Sequence, residues 1–256
     1  MPPSTAPARN WFDQGGQDYA RFRPEYPPEL AAFLAAQAPG RRLAVDAGCG
    51  NGQLTALLAH SFDRVVGVDP SADQLANSQP HARIDYLRAP AEHIPVAGGS
   101  TDLITAAQAA HWFDLPAFYR EVRRIGAPGA IVALVSYGVL TPGSALDKRF
   151  QAFYRDEIGP FWPPQRQLVD TGYATLDFPF EELAAPAMQI RCEWSLPRFL
   201  GYLATWSAVL RAREAGRADV LTAFADEIGL AWGDPASTRL ICWPINMRIG
   251  RFGKAG

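Results

Sequence analysis

The segment Val45-Asp46-Ala47-Gly48-Cys49-Gly50-Asn51-Gly52-Gln53 constrains the fold more than any other part of the 256-residue chain. A short apolar run, Leu43-Ala44-Val45, ends at Asp46 and a glycine-rich turn. Behind the turn, Leu54, Leu57 and Leu58 recur at helical spacing, as on a helix that packs against a sheet. Glycines in such a turn accept positive φ and let a ligand approach the backbone without a Cβ in the way. A dinucleotide-binding G-x-G-x-x-G would place its third glycine at position 53. Gln53 stands there, and the third glycine comes one residue early, at Gly52. Asp46 ahead of the loop repels a pyrophosphate but suits a cationic amino group, such as that of a methionine moiety.

Further strands are predicted downstream. Val65-Val66-Gly67-Val68 ends at Asp69, and Ile84-Asp85-Tyr86-Leu87 forms a weaker third strand. Leu103-Ile104-Thr105-Ala106-Ala107 gives a fourth, and Ile131-Val132-Ala133-Leu134-Val135 a fifth, launched by a turn at Pro128-Gly129. Strands alternating with helices imply crossover units and a parallel sheet covered on both faces, whose ligands sit at the carboxyl ends of the strands. Asp69, 23 residues after Asp46, is therefore placed to accept both hydroxyls of a ribose. Its competing reading is a cap for the next helix, a task Ser71 also fits. Residues 199–210 are expected to form one helix with Phe199, Leu200, Leu203, Trp206 and Leu210 on a stripe, and a last strand is expected near residues 240–249.

Composition narrows the function classes. Net charge is −2 with 24 Lys+Arg scattered along the chain, so no basic field for nucleic acid or an anionic membrane is present. Cys49, Cys192 and Cys242 match no zinc spacing, and with four scattered histidines they predict no metal site. The cysteine pattern and the absence of an apolar N-terminal segment lead to the expectation of a cytoplasmic protein with free thiols. Residues 1–9 are expected to be a disordered tail. Residues 10–256 are read as a single domain: an N-terminal cap at 10–40, a cofactor-binding core at 41–140, and a lid with the last strands at 141–256.

Four segments carry a family resemblance: D-A-G-C-G-N-G at 46–52, V-G-V-D-P-S at 66–71, A-E-H-I-P at 91–95 and A-Q-A-A-H-W-F at 107–113. They resemble the class I S-adenosylmethionine-dependent methyltransferases, in particular the type 11 branch. The segments Y-A-R-F-R-P-E-Y-P at 19–27, 107–113 and Y-L-A-T-W-S-A at 202–208 are similar to members that methylate trans-aconitate and related small carboxylic acids. The resemblance implies a Rossmann-like, doubly wound, mostly parallel seven-stranded α/β sheet. An antiparallel last strand, N-terminal cap helices and a C-terminal helical lid complete that fold. It implies S-adenosyl-L-methionine as cofactor and S-adenosyl-L-homocysteine as product. The loop at Gly48, Cys49 and Gly50 would pass under the methionine part, with the ribose at Asp69 and Pro70. Adenine would lie by Ala91 and Glu92, because Pro90 occupies the place of the family's usual acidic residue. Gln108 would offer a backbone carbonyl to the ammonium, and Tyr19 and Arg23 would reach the methionine carboxylate, a task that suits the planar fork of arginine.

On the acceptor side, His111 follows the fourth strand and is read as a contact to the methyl acceptor, with a general-base role as the alternative. Trp112, Tyr137, Trp162 and Trp206, with Phe161 and Trp194, are candidates for an enclosed aromatic pocket suited to a small molecule. The expected partner is thus a small-molecule acceptor, without nucleic acid or membrane, and the expected state is a monomer or homodimer. Two other readings stand beside this one: a nicotinamide-dependent oxidoreductase, and a non-catalytic module that binds S-adenosylmethionine on the same fold.

Overall fold

The computed structural model describes residues 22–252. Its order is α1 (Pro28–Gln37), β1 (Leu43–Ala47), α2 (Gln53–Leu58), β2 (Arg64–Asp69), α3 (Ala72–Ala76), β3 (Ile84–Arg88), β4 (Thr101–Ala107), α4 (Leu115–Ile125) and β5 (Gly126–Tyr137). There follow α5 (Ser144–Ala152), a π-helical turn Phe153–Glu157, α6 (Arg166–Asp170), β6 (Glu181–Leu183), β7 (Met188–Trp194), α7 (Leu196–Ala204), α8 (Ser207–Glu214), α9 (Asp219–Trp232) and β8 (Arg239–Arg251).

The sheet runs β3-β2-β1-β4-β5-β8, with the first five strands parallel and β8 antiparallel to β5. Order reverses between β1 and β4, so the loops after these two strands diverge and leave a crevice at their carboxyl ends. The expected antiparallel last strand is present. Eight strands are described where seven were expected, because the seventh position is split: β6 and β7 pair in turn with the far edge of β8. Pro186 lies between them and has no N–H to continue the ladder.

Central strands are apolar on both faces because helices cover both sides. Alternate residues feed two cores. Ala44, Leu103, Ile131 and Ala133 join α1, α2 and the C-terminal helices, whereas Val45, Ile104, Val132 and Leu134 pack against α4. Most elements that follow β5 share the first of these cores, whereas Val169 of α6, Tyr173 and Phe178 join the second.

Two expected elements differ. Pro128-Gly129 does not launch a strand; it lies inside β5, where the register to β4 shifts and Gly129 takes φ 75°. The predicted helix over 199–210 is two helices. Trp206 is extended, with φ −72° and ψ 137°. The Thr205 hydroxyl bonds back to the Tyr202 carbonyl, the local competition that disfavours threonine inside helices.

Candidate functional site

The turn after β1 is held open by backbone geometry. Gly48 has φ 65° and Gly52 φ 86°. A Cβ on Gly48 would lie 2.5 Å from the Ala109 Cβ, and one on Gly52 would lie 2.2 Å from the Tyr86 hydroxyl. The first contact locks the turn against the end of β4. There, Gln108 takes φ 54°, its N–H donates to the Val135 carbonyl and its Nε2 donates to the Tyr137 carbonyl. A non-glycine residue in this region is a strained position of the kind that clusters at functional sites.

Asp69 organises the other wall. Its Oδ2 accepts from the Gly50 N–H at 2.9 Å and its Oδ1 from the Ser71 N–H at 2.8 Å. Ser71 caps α3, accepting from the Gln74 N–H. A carboxylate oxygen accepts more than one donor, so these bonds are compatible with ligand hydroxyls on the same group. Gln74 is buried and its Oε1 has no hydrogen-bond partner among the described residues, 3.6 Å from where a Gly50 Cβ would be. Pro70 is exposed, with its carbonyl taken by Arg88 Nε. Cys49 is half-buried, and burial together with Asp46 and Asp69 pushes its thiol well up, so it stays neutral.

Asp46 is not placed as the sequence suggested. It is fully buried beneath the loop, with Oδ2 accepting from Thr55 Oγ1 and Oδ1 from Thr105 Oγ1, each at 2.7 Å. Burial raises its carboxyl to about 6. Both oxygens serve to tie α2 and β4 to β1, so Asp46 braces the loop instead of facing a ligand. Glu92 Oε1 accepts from the Asp114 N–H at the start of α4, which fixes the carboxylate and leaves its second oxygen able to accept. Ala91 beside it is buried. Tyr19 lies outside the described residues. Arg23 donates from Nη1 to the Tyr137 hydroxyl at 3.0 Å and lies over the Tyr202 ring.

Of the expected acceptor-side aromatics, three meet. Trp162 and Trp206 have ring centroids 5.4 Å apart and both pack on Tyr154. Tyr202 joins Trp206 to the Arg23–Tyr137 pair. Trp112 stands apart, 42 % exposed and tilted at 45° against His111, and Trp194 belongs to the core with Trp243. His111 Nδ1 lies 2.9 Å from the Tyr173 hydroxyl. Burial pushes the ionisation of that hydroxyl up, so it stays neutral beside the ring. Burial, helped by the Arg166 charge, lowers the imidazole to about 3.

The sequence reading missed Tyr154, Arg166, Tyr173 and Tyr202 as site residues. Only Tyr202 lay in a segment with a signal. Among the described residues no group of three His, Cys, Asp or Glu could hold a metal, and no helix is long and apolar enough to cross a membrane.

Comparison with known proteins fits this geometry. The profile of a type 11 methyltransferase domain matches residues 45–134. A Dictyostelium discoideum protein named as a methyltransferase is 34 % identical over 214 residues, covering 82 % of this chain and 81 % of its own. The solved structure of a type II methyltransferase from Anaeromyxobacter dehalogenans matches with TM-score 0.84 and 44 % identity, over 90 % of this chain and 98 % of that one. A malonyl-[acyl-carrier protein] O-methyltransferase of Dechloromonas aromatica is 34 % identical over 149 residues, 54 % of this chain and 53 % of that protein.

Proposed function

The chain belongs to the S-adenosylmethionine-dependent methyltransferases of the type 11 family, and on that premise we propose that it methylates a small carboxylic acid on a carboxylate oxygen. The residues present fit the cofactor. Gly48 and Gly52 admit no Cβ, space remains open at Gly50, and the partnerless Gln74 Oε1 stands beside the Asp69 turn as a buried acceptor for a hydroxyl or amino donor. Asp69 would take the ribose hydroxyls, and the Gln108 carbonyl region would take the ammonium. When bound, the cofactor supplies an electrophilic methyl group on a sulfonium.

The task of the protein is then alignment, which alone lowers a barrier by about 7–11 kcal/mol when reacting atoms are held in line. Trp162, Trp206 and Tyr202 exclude water from the acceptor side. Arg23 holds the hydroxyl of Tyr137, the last residue of β5. The observation that carries the acceptor assignment is the setting of His111, whose Nδ1 is engaged by the Tyr173 hydroxyl and whose ring packs against Tyr173 and Trp112. An imidazole lowered to about 3 is too weak a base to take a proton from a hydroxyl or amine at neutral pH. A carboxylate, already ionised, needs no base. The similarity to O-methyltransferases that act on a malonyl thioester supports the same acceptor atom.

The test is methyl transfer from labelled cofactor to a panel of small acids. The product is expected to release methanol in alkali; an alkali-stable methyl group overturns the assignment. His111→Gln, which keeps a hydrogen-bonding amide, is expected to retain kcat within about threefold, whereas loss of a true general base costs about 10²–10⁴-fold. From the lowered imidazole, kcat/KM is expected to show no His111 titration between pH 5 and 8, because the ring is already neutral throughout. A rise in rate with a midpoint near 6.5 would restore the base role. Asp69→Ala is expected to weaken S-adenosylhomocysteine binding by about 1.5–3 kcal/mol in calorimetry. Unchanged affinity with a lower melting temperature would make Asp69 a brace for the loop alone.

A further inference from the structure

One cation in this region has donors left over. Arg166 opens α6 and is 19 % exposed. Its Nε donates to the Tyr154 hydroxyl at 2.9 Å and to Asp170 Oδ1 at 2.8 Å. Its guanidinium carbon lies 4.7 Å from the Trp162 ring centroid and 5.6 Å from that of Tyr154. The plane is therefore fixed by one edge and by two aromatic rings. Nη1 and Nη2 make no hydrogen bond to any described residue. A guanidinium carries five N–H donors, and the four on Nη1 and Nη2 are left open to an outside acceptor. The indole Nε1 of Trp162, a second buried donor nearby, also lacks a partner among the described residues.

The orientation of Arg166 has a structural origin. Tyr154 sits in the π-helical turn Phe153–Glu157, an irregularity that occurs frequently at functional sites. Its hydroxyl donates to Asp170, so Tyr154, Asp170 and Arg166 form a closed brace that leaves only the Nη atoms outward. Arg166 lies over Trp162, whose ring meets that of Trp206, so it stands beside the aromatic group described above.

We infer that Arg166 is the specificity-determining residue of the acceptor site, its Nη atoms binding the acceptor carboxylate while Trp162 and Trp206 hold the apolar body. This rests on the carboxylate reading of the function. One carboxylate oxygen pairs with the guanidinium, and the other keeps its lone pair for the methyl carbon. The O–CH₃ bond forms as the S–CH₃ bond breaks, the electron pair of that bond stays on sulfur, and no proton moves. A hydroxyl or amine acceptor would leave the guanidinium unmatched, so neutral analogues are rejected by the unpaired buried donors they leave behind.

The experiment uses the full chain saturated with S-adenosylhomocysteine. It is titrated with a panel of aliphatic and aromatic mono- and dicarboxylic acids and with the corresponding neutral amides, and turnover of the same compounds is followed with labelled cofactor. Wild type is expected to bind acids and not amides. Arg166→Gln is expected to lose about 10–100-fold in kcat/KM, nearly all in KM, the range for a hydrogen bond to a charged group. Arg166→Lys, which keeps the charge but not the fork, should recover part of that loss. S-adenosylhomocysteine affinity and melting temperature report whether each variant folds, and Trp162→Phe provides a milder second variant with the same direction of effect. Acid binding without alkali-labile methylation would keep Arg166 as the anchor and overturn the proposed reaction. Turnover of acids by Arg166→Gln with unchanged KM would overturn the anchor and leave the reaction standing. Failure of wild type to bind any acid would overturn both.

Discussion

Replacing Gly48 by alanine is expected to lower S-adenosylhomocysteine affinity and turnover by at least about 100-fold, the scale of loss that an ångström of misplacement at a reacting site produces. Two penalties act together. The φ of 65° costs an L-residue roughly 1–2 kcal/mol. The new Cβ would also meet the Ala109 Cβ at 2.5 Å and the Phe113 ring at 3.1 Å. Neither neighbour is the free end of a flexible chain, so the loops after β1 and β4 must separate, and the crevice between them loses its shape. Gly99 supplies the control. It has φ 65°, yet nothing lies within 4 Å of its Cβ position. Gly99→Ala should cost about 1 kcal/mol of stability through strain alone and leave binding intact. Calorimetric titration of both variants separates the two contributions. If Gly48→Ala binds within threefold of wild type, the loop does not have to approach the ligand closely and the site assignment fails.

The second large effect is on stability and depends on pH. Asp46 has its carboxyl raised from 3.8 to about 6 by burial, against the lowering by the hydroxyls of Thr55 and Thr105. The folded state therefore binds this proton more tightly than the unfolded chain. Its contribution to stability is complete below about pH 4 and is lost as pH rises through about 6, where the fold must hold a buried anion. A carboxyl held that far above its unfolded value corresponds to about 3 kcal/mol. Asp46→Asn keeps an acceptor for one threonine hydroxyl and offers a donor to the other, without a charge. It is expected to match wild type near pH 4 and to exceed it by about 2–3 kcal/mol at pH 8 in urea unfolding. A difference that does not change between pH 4 and 8 would show that Asp46 stays ionised and well solvated.

The glycine turn and the strand ends around the proposed cofactor site were legible in the sequence for a physical reason. The glycines of the turn are needed by the backbone itself, and the strand ends announce themselves as apolar runs closing on Asp46 and Asp69. What stayed hidden depends on partners distant in sequence. Asp46 looked like a ligand contact because Thr105, which engages it, lies 59 positions away. The bond that fixes Glu92 comes from the Asp114 N–H, 22 positions on. Pro128-Gly129 carried the signature of a turn, and pairing with β4 absorbed it as a strand irregularity. Arg166 gave no signal at all: next to Pro163-Pro164 it resembles a solvated arginine. Its surroundings come from a π-helical turn 12 residues earlier and from a stacked indole. Resemblance to a family found the family and its fold, whereas the proposed acceptor side rests on contacts no short motif encodes.

The long antiparallel strand β8 carries a consequence for the order in which the protein assembles. Tyr137 of β5 pairs with Ile245 of β8, and the chain between them holds Tyr154, Trp162, Arg166, Tyr202 and Trp206. The parallel strands β1 to β5 make mostly short-range crossovers and are able to collapse early. Pairing of β8 must wait for more than a hundred intervening residues and is slow for that reason. β8 also supplies the ladder for β6 and β7, so until it docks three strand edges stand open to pairing with other chains. On this order the strands β1 to β5 are expected to assemble before the segment that holds Trp162, Arg166 and Trp206. Amide exchange should show β1, β2 and β4 protected first during refolding, with β7 and β8 gaining protection together in a later step.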